Sequence, residues 1–386
     1  MLKRIIIGPG LPLRGGISES NQALHKCFCD KNENSLIISY SLQYPKLLFP
    51  GKKQIIDDLQ NIDYSDTMNL INTLNPFTWI KAARYIVEQK PDYVIVRYWH
   101  PYFSICLSVL LSILRKNSIL VIAWVDNINP HESIPLQKML TGCFVKKCDA
   151  FVVMSKSVKR ELMMYHQSRN KQIIISPHPI YDVFGASINK CEAQKNIGVL
   201  NSLDGATHKC ILFFGLIRSY KGLSLLLDVM ALKKVKKLNI KLVIAGEFYD
   251  SKEKYVRKIN SLNINDSVIL HDFYIPNKDV TNYFSAADIV VQPYLSATQS
   301  GVSMVAYNFN TPMILTNVGG LSEYVQDKVD GYLVSVNKDE IASALEDFYI
   351  NCRESSFVSA IVEKKQYFTW ERLTLKFDQL YKNIRK

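Results

Sequence analysis

Two positively charged side chains follow the end of an apolar run in the second half of the chain. Residues 210–215 form this run, and Arg218 and Lys221 come soon after its last residue, Gly215. A helix-like pattern of apolar residues then begins at Gly222. The start of a helix presents unpaired backbone N–H groups and the positive end of its dipole, so an arginine and a lysine there would complete a binding site for a diphosphate. A solvated basic loop is the alternative interpretation.

A small polar loop at residues 296–301 has a similar arrangement. It follows another apolar run and precedes a second predicted helix, so the amides of Ser300, Gly301 and Val302 would form a second anion-binding nest. Glu323 follows a Gly-Gly turn further along the chain, where its carboxylate can accept hydrogen bonds from sugar hydroxyls. The alternative is an ordinary loop with a serine as the N-cap of a helix.

Polar side chains also follow apolar runs in the first half. Asp126, Asn127 and His131 come after the run at residues 118–125, and His100 comes after another apolar run. If these runs are parallel strands, all four side chains lie at the edge of the sheet where ligands bind. The glycine-rich segment that follows the first run does not have the G-x-G-x-x-G spacing, and the next run ends without an acidic residue. A dinucleotide site is therefore not predicted.

Short, almost continuously apolar runs alternate with helical patterns along the whole chain. Such runs are typical of strands buried on both faces of a parallel sheet that is flanked by helices. The chain has 386 residues, which is long for one hydrophobic core, and the alternation occurs in both halves. We therefore predict an α/β protein of two doubly wound, Rossmann-like domains that face each other across a cleft. The predicted bounds are 1–185 for the first domain, 205–366 for the second and 367–386 for a closing helix.

The charge and the cysteines indicate the kind of partner and the compartment. Lys and Arg total 47 against 35 Asp and Glu, a net charge of +12 that favours phosphates, an acidic membrane surface or nucleic acid. No nucleic-acid-binding motif accompanies this charge, so nucleic acid is not a predicted partner. The 8 cysteines form no C-x-x-C pair and have no zinc-site spacing, which favours free thiols in a reducing cytoplasm. The first residues do not resemble a signal peptide, and no apolar run is long enough to span a membrane.

At this point a resemblance to a known family carries the interpretation further. The segments "FFGLIRSYKG" and "SATQSGV", with "AYNFNTPMILTNVGGLSE" after them, resemble the C-terminal domain of retaining glycosyltransferases of family 4, which have the GT-B architecture. Upstream, "YPKLLFPGKKQ", "WVDNINPHE", "FVVMSKSV" and "PHPIYDVFG" resemble a bacterial subgroup. The resemblance covers nearly the whole chain. It implies transfer of a sugar from a nucleoside diphosphate sugar to a glycan or lipid-linked acceptor, with retention of anomeric configuration and without a required metal or other cofactor.

The resemblance also implies roles for individual residues. Arg218 and Lys221 match the residues that bind the donor diphosphate and act in catalysis, and Glu323 matches a residue that contacts the donor. The remaining residues implied to bind the donor are Gly15, Gly16, Gly215, Tyr274, Ile275, Thr298, Gln299, Ser300, Gly301 and Val302. The residues implied to bind the acceptor are Arg14, His100, Asn127 and His131.

Two positions differ from the wider family. Many members carry a glutamate on each side of the helix start, where this chain has Thr298 and Ala306, so the ribose must be held in another way. Many members also have a histidine after the fourth strand of the first domain, where this chain has Asp126. An aspartate there would orient the acceptor hydroxyl or the donor sugar, and we predict it as a third catalytic residue.

Several alternatives stay open at this point. The two altered glutamate positions are compatible with a nucleotide-sugar-binding protein of little transfer activity, and a non-hydrolysing sugar-nucleotide epimerase shares the architecture. The segment "YPKLLFPGKKQ" is either a loop that contacts a lipid-linked acceptor or membrane, or a loop packed on its own domain. The subgroup and the charge favour bacterial surface polysaccharide synthesis, in the cytoplasm or peripherally at the inner face of the cytoplasmic membrane.

Overall fold

The chain folds into two units in the computed structural model. The model describes residues 2–31, 33–45, 54–56, 65–129, 136–180, 183–200, 206–297 and 299–385. The first unit is Met1–His178 with Thr369–Lys386, and the second is Pro179–Phe368. The first unit thus ends before the predicted bound of residue 185, and the C-terminal helix belongs to the first unit rather than standing apart.

The first unit is a seven-stranded parallel sheet with helices on both faces. Its strand order is β3-β2-β1-β4-β5-β6-β7, and every pair in the described residues is parallel. The strands are β1 Lys3–Ile7, β2 Asn34–Leu42, β3 Thr67–Asn72, β4 Tyr93–Tyr98, β5 Leu120–Val125, β6 Ala150–Val153 and β7 Gln172–Ile175. The helices are α1 Gly16–Cys29, α2 Pro76–Glu88, α3 Ser104–Lys116, α4 Gln137–Lys147, α5 Lys156–Met163 and, from the end of the chain, α14 Trp370–Arg385.

The helix α14 packs on the face of this sheet that also carries α1. Its apolar side chains join a buried cluster with Trp124 of β5. A fully buried arginine of β1, Arg4, donates hydrogen bonds to Asp378 of α14 and to the hydroxyl of Tyr93. Because a buried charge is costly unless it is paired, this contact ties the end of the chain to the first unit.

The second unit repeats the architecture with six parallel strands in the order β10-β9-β8-β11-β12-β13. The strands are β8 Lys209–Phe214, β9 Ile240–Ala245, β10 Val268–His271, β11 Ile289–Gln292, β12 Met313–Thr316 and β13 Gly331–Val334. The helices are α6 Lys190–Asn196, α7 Leu223–Met230, α8 Lys233–Lys236, α9 Lys252–Ser261, α10 Asn277–Ala286, α11 Gly301–Asn308, α12 Lys338–Ile350 and α13 Glu354–Lys365. The single helical pattern after Gly222 is thus divided into α7 and α8.

The strand β8 explains why its sequence is apolar without alternation. Cys210 and Leu212 enter the core on one face of the sheet, and Ile211 and Phe213 enter the core on the other face. The strand order changes direction between β8 and β11. In doubly wound sheets ligands bind outside the carboxyl ends of the strands at such a switch point. The fold therefore points to the loops that follow β8 and β11.

Candidate functional site

The loops after β8 and β11 contact each other through their backbones. Gly222 ends the first loop with a φ of +72°, and a Cβ atom at this position would lie 1.9 Å from the carbonyl oxygen of Pro293. The amide of Leu295 donates a 2.7 Å hydrogen bond to the carbonyl of Tyr220. Because only glycine fits this approach, Gly222 brings the predicted diphosphate loop against the second predicted loop.

Lys221 is the most unusual side chain of this site. It ends a short 3₁₀ helix, Ser219–Lys221, and is only 8% exposed. Its ammonium group forms no hydrogen bond or ion pair with any of the residues that the structure describes. Burial, followed by the nearby positive charge of Arg218, lowers the pKa of Lys221 from 10.5 to about 8. A buried cation without an internal counter-charge is an arrangement that an external anion would stabilise.

Arg218 supplies a second positive charge next to Lys221. It is half-buried, and within the described part of the chain it too lacks a carboxylate partner. Gly215, with a φ of +93°, closes this side of the site, because a Cβ atom there would lie 3.2 Å from the Lys221 ammonium and 3.4 Å from the side chain of Val302. The structure thus brings together four of the predicted residues, from the end of β8 and the first turn of α11.

The second loop is held by its buried polar side chains. The Ser300 hydroxyl donates a 2.5 Å hydrogen bond to Oε1 of Gln292, and Ser300 does not cap α11 with its side chain. Ser300 is thus the N-cap residue by position, but no described side chain caps the first-turn amides of Gly301 and Val302. The amide of Gly320 donates to the carbonyl of Ala297 at 3.3 Å, which places the turn before Glu323 next to this loop.

The other predicted donor residues of this unit differ in their exposure to solvent. Gln299 and Glu323 are half-buried, and Thr298 lies outside the described residues. Tyr274 and Ile275 follow the edge strand β10. The side chain of Ile275 is buried in the core, whereas that of Tyr274 is 42% exposed. Ala306 is fully buried in the core, so this position offers no group to a ribose.

In the first unit, Asp126 forms a buried ion pair that the sequence did not predict. Arg97 of β4, which is 1% exposed, donates to both carboxylate oxygens of Asp126 at 2.5 and 2.6 Å. Its guanidinium group also stacks on the ring of Trp124 at 3.5 Å. Nη1 of Arg97 has no hydrogen-bond partner among the described residues. Asp126 is thus held in one orientation at the carboxyl end of β5, with little exposure to solvent.

Three of the four predicted acceptor residues, Arg14, His100 and Asn127, lie in the loops after β1, β4 and β5. Arg14 precedes α1. The predicted donor residue Gly15 is the N-cap of this helix with a φ of +119°, and the predicted donor residue Gly16 is its first residue. Nδ1 of His100 accepts a 3.1 Å hydrogen bond from the amide of Tyr102, so the proton of the neutral ring is on Nε2. Asn127 is half-buried beside Asp126. His131 lies outside the described residues, as does most of the "YPKLLFPGKKQ" segment.

No group of three or more His, Cys, Asp or Glu side chains that could hold a metal ion occurs in the described ranges. Of the helices in the described part of the chain, none is both long and apolar enough to cross a bilayer.

Comparison with solved structures defines the class of fold. HepE from Anabaena, in a structure with UDP, has a TM-score of 0.76 at 13% identity, with 99% of this chain and 100% of HepE covered. Sucrose-phosphate synthase from Thermosynechococcus elongatus has a TM-score of 0.73 at 16% identity, with 99% of each chain covered. The protein has the GT-B fold, with two Rossmann-like domains.

Sequence comparison finds a family match within the second unit. Residues 208–351 match the family model described as glycosyl transferases group 1. An uncharacterized glycosyltransferase of Methanocaldococcus jannaschii is 24% identical over 60% of this chain and 59% of its own length. The lipopolysaccharide 1,2-N-acetylglucosaminetransferase of Salmonella typhimurium is 28% identical over 52% of this chain and 55% of its own length. These alignments thus cover a little over half of each relative.

Proposed function

We propose that the protein is a retaining glycosyltransferase that moves a sugar from a nucleoside diphosphate sugar to a glycan or lipid-linked acceptor. The observation that carries the proposal is the buried, unneutralised Lys221 beside Arg218 at the switch point of the second unit. The match of residues 208–351 to the group 1 family supports the same reaction class.

The chemistry explains why two unneutralised cations would be useful. When the bond between the sugar and the diphosphate breaks, negative charge grows on the departing phosphate oxygens. Arg218, Lys221 and the first-turn amides of α11 would stabilise that charge. With retention, the acceptor hydroxyl attacks on the face that the diphosphate leaves, and the departing phosphate oxygen takes the hydroxyl proton.

The remaining residues would position the two substrates. Gln299 and Glu323 would contact the donor, in place of the ribose contact that Ala306 cannot supply. Asp126, fixed by Arg97, would orient the acceptor hydroxyl or the donor sugar. The proposal includes no metal or other cofactor, so transfer should continue in the presence of EDTA.

The first test is binding of nucleoside diphosphates. HepE was solved with UDP and with UDP-glucose, so UDP is the first nucleotide to test, followed by GDP and ADP. A ligand that binds the folded state raises the melting temperature by mass action, so the nucleotide that binds most tightly should give the largest rise. Lys221→Met should remove this shift, whereas Lys237→Met, which changes an exposed lysine of the same unit, should keep it. If none of the nucleotides shifts wild type, the proposal is wrong.

The second test is turnover. With the sugar form of the nucleotide that binds, Lys221→Met should raise the barrier by about 2–4 kcal/mol, and near-normal turnover would remove Lys221 from the mechanism. Nuclear magnetic resonance of the product gives its anomeric configuration, and inversion would contradict retention. Donor binding without transfer would instead favour a binding protein, and a changed sugar without an acceptor would favour an epimerase.

We further propose a role in bacterial surface polysaccharide synthesis, at the inner face of the cytoplasmic membrane. The net charge of +12 supports attraction to anionic lipids. Flotation with vesicles of phosphatidylglycerol, compared with vesicles of phosphatidylcholine, tests the membrane contact. Equal recovery with both kinds of vesicle would contradict an electrostatic contact.

A further inference from the structure

Each of the two unneutralised cations lies over an aromatic ring. The guanidinium carbon of Arg218 is 4.8 Å from the centre of the Tyr249 ring, and Nζ of Lys221 is 5.6 Å from the centre of the Tyr294 ring. Tyr249 follows β9 and Tyr294 follows β11, the strands on either side of β8. The two rings therefore reach the loop after β8 from its two neighbouring strands.

Two other lysines of this unit have a carboxylate as their partner. Lys258 pairs with Asp228 at 2.6 Å, and Lys252 pairs with Asp272 at 2.5 Å. A carboxylate partner would cancel the positive charge and would compete with a phosphate for it. The face of an aromatic ring attracts a cation through its quadrupole but carries no net charge, so it can hold the side chain without neutralising it.

We propose that Tyr249 and Tyr294 are positioning residues, which hold Arg218 and Lys221 in place while leaving both charges available to the diphosphate of the donor. This inference rests on the proposed function, since it names the supports of the same site. It also adds β9 to the elements that build the site, because Tyr249 lies in the loop after that strand.

Both tyrosines are themselves fixed by their neighbours. The amide of Tyr249 donates a 2.9 Å hydrogen bond to the carbonyl of Ile217, the residue before Arg218. Tyr294 is 3% exposed, and its backbone carbonyl accepts a 2.6 Å hydrogen bond from the hydroxyl of Thr316 in β12. Tyr294 is thus fixed beside β12 while its ring contacts Lys221.

The first experiment measures UDP affinity by calorimetry in the full chain. Tyr249→Leu removes the ring, and we expect the dissociation constant to rise about fivefold to tenfold, the range that loss of one desolvated cation–π contact would give. Tyr249→Phe keeps the ring and should lie closer to wild type. Tyr294→Leu and Tyr294→Phe form a second matched pair, and Tyr367→Leu, at an exposed tyrosine of the same unit, is the control. Equal affinities for the Leu and Phe variants at both positions would overturn the inference.

The second experiment needs no ligand, and so separates this inference from the proposed function. A double-mutant cycle with Tyr249→Leu and Arg218→Met measures the contact in the ligand-free protein. If the ring holds the cation, the melting temperature of the double variant falls by less than the sum of the two single losses. Additive losses would overturn the inference even if UDP binds. If the decreases in melting temperature are not additive but no nucleotide binds, the cation–π contact is supported and its role in diphosphate binding is overturned.

Discussion

Replacing Lys221 by methionine should stabilise the protein while it removes diphosphate binding. The side chain is 8% exposed, and its pKa is lowered from 10.5 to about 8 by burial and by Arg218. A pKa lower by about 2.5 corresponds to a cost of about 3 kcal/mol for keeping the folded state charged, at about 1.4 kcal/mol for each pH unit. Methionine has a similar length and no charge, so Lys221→Met should recover most of this free energy at pH 7.

The pH dependence distinguishes removal of the charge from a change in packing, because only removal of the charge makes the stability difference vary with pH. Below pH 8 Lys221 is charged in both the folded and the unfolded state, and the full cost is present. As the pH rises from about 8 to 10.5, the folded state loses its proton first, so the cost declines. The advantage of Lys221→Met should therefore fall from about 3 kcal/mol at pH 7 to roughly half of that value at pH 9.5.

The assay is urea unfolding of the full chain at these two pH values. All four tryptophans, Trp79, Trp99, Trp124 and Trp370, lie in the first unit, so tryptophan fluorescence reports on that unit and circular dichroism reports on both. If the units unfold separately, the gain should appear in the circular dichroism transition of the second unit and leave the fluorescence transition unchanged. Lys237→Met should change the free energy of unfolding by no more than about 0.5 kcal/mol. A Lys221→Met variant no more stable than wild type at pH 7, or a gain that stays constant with pH, would refute the reasoning.

Three further predictions concern the same loops and the first unit. The affinity of wild type for UDP should fall as the pH rises above about 8, by at most tenfold per pH unit, because Lys221 loses its charge. In calorimetry, the UDP affinity of Lys221→Met should depend less on pH than that of wild type. Arg97→Met should cost about 3–5 kcal/mol in unfolding free energy, because it removes the cation that neutralises the buried Asp126 carboxylate. Adding Asp126→Leu to this variant should restore part of that loss. Tryptophan fluorescence during urea unfolding measures both variants, and an unchanged stability of Arg97→Met would contradict the pairing. Gly222→Ala should cost more than about 2 kcal/mol and weaken UDP binding, because its Cβ atom would meet the carbonyl of Pro293, and an alanine variant with normal stability and affinity would contradict that close approach.

The fold was predictable where a strand is buried on both faces. The strand β8 is such a case, since its four central residues enter the core on both faces of the sheet. The strand β3, Thr67–Asn72, was not predicted, although it pairs with β2 in a parallel register. It is the edge strand of its sheet, and Thr67, Asn69 and Asn72 interrupt its apolar residues. An edge strand is covered less completely, so its sequence need not be a continuous apolar run.

In the candidate site, only the residues that lie close together in the sequence could be predicted. Glycines and cations directly after an apolar run indicated the loop with Arg218 and Lys221. The burial of Lys221 and the rings of Tyr249 and Tyr294 depend on loops after other strands, and no spacing in the sequence reveals which rings meet which cations. Donor contacts through Gln299 and Glu323 stay predictions, because their relation to a bound nucleotide depends on the ligand.

The ion pair of Arg97 had a signal in the sequence that was not used. An arginine inside an apolar strand is rarely buried without a partner, so "DYVIVRYW" already calls for a carboxylate nearby. In the observed register Arg97 lies beside Trp124, and Asp126 follows two residues later on the same face of the sheet. The sequence could therefore have paired Arg97 with Asp126 once β4 and β5 were taken as neighbours.

The contrast between these buried charges is the strongest argument for an external anion. Arg97 pairs with Asp126 and Arg4 pairs with Asp378, so these two buried arginines have counter-charges within the chain. Lys221 is also buried, yet no carboxylate in the described ranges pairs with it, and burial lowers its pKa. A lysine that served only to fill space would be replaced by methionine without loss of any function. If Lys221→Met is more stable than wild type and binds no nucleoside diphosphate, the buried charge lowers stability but is needed to bind the diphosphate. If the variant still binds a nucleoside diphosphate, the charge of Lys221 is not needed for binding.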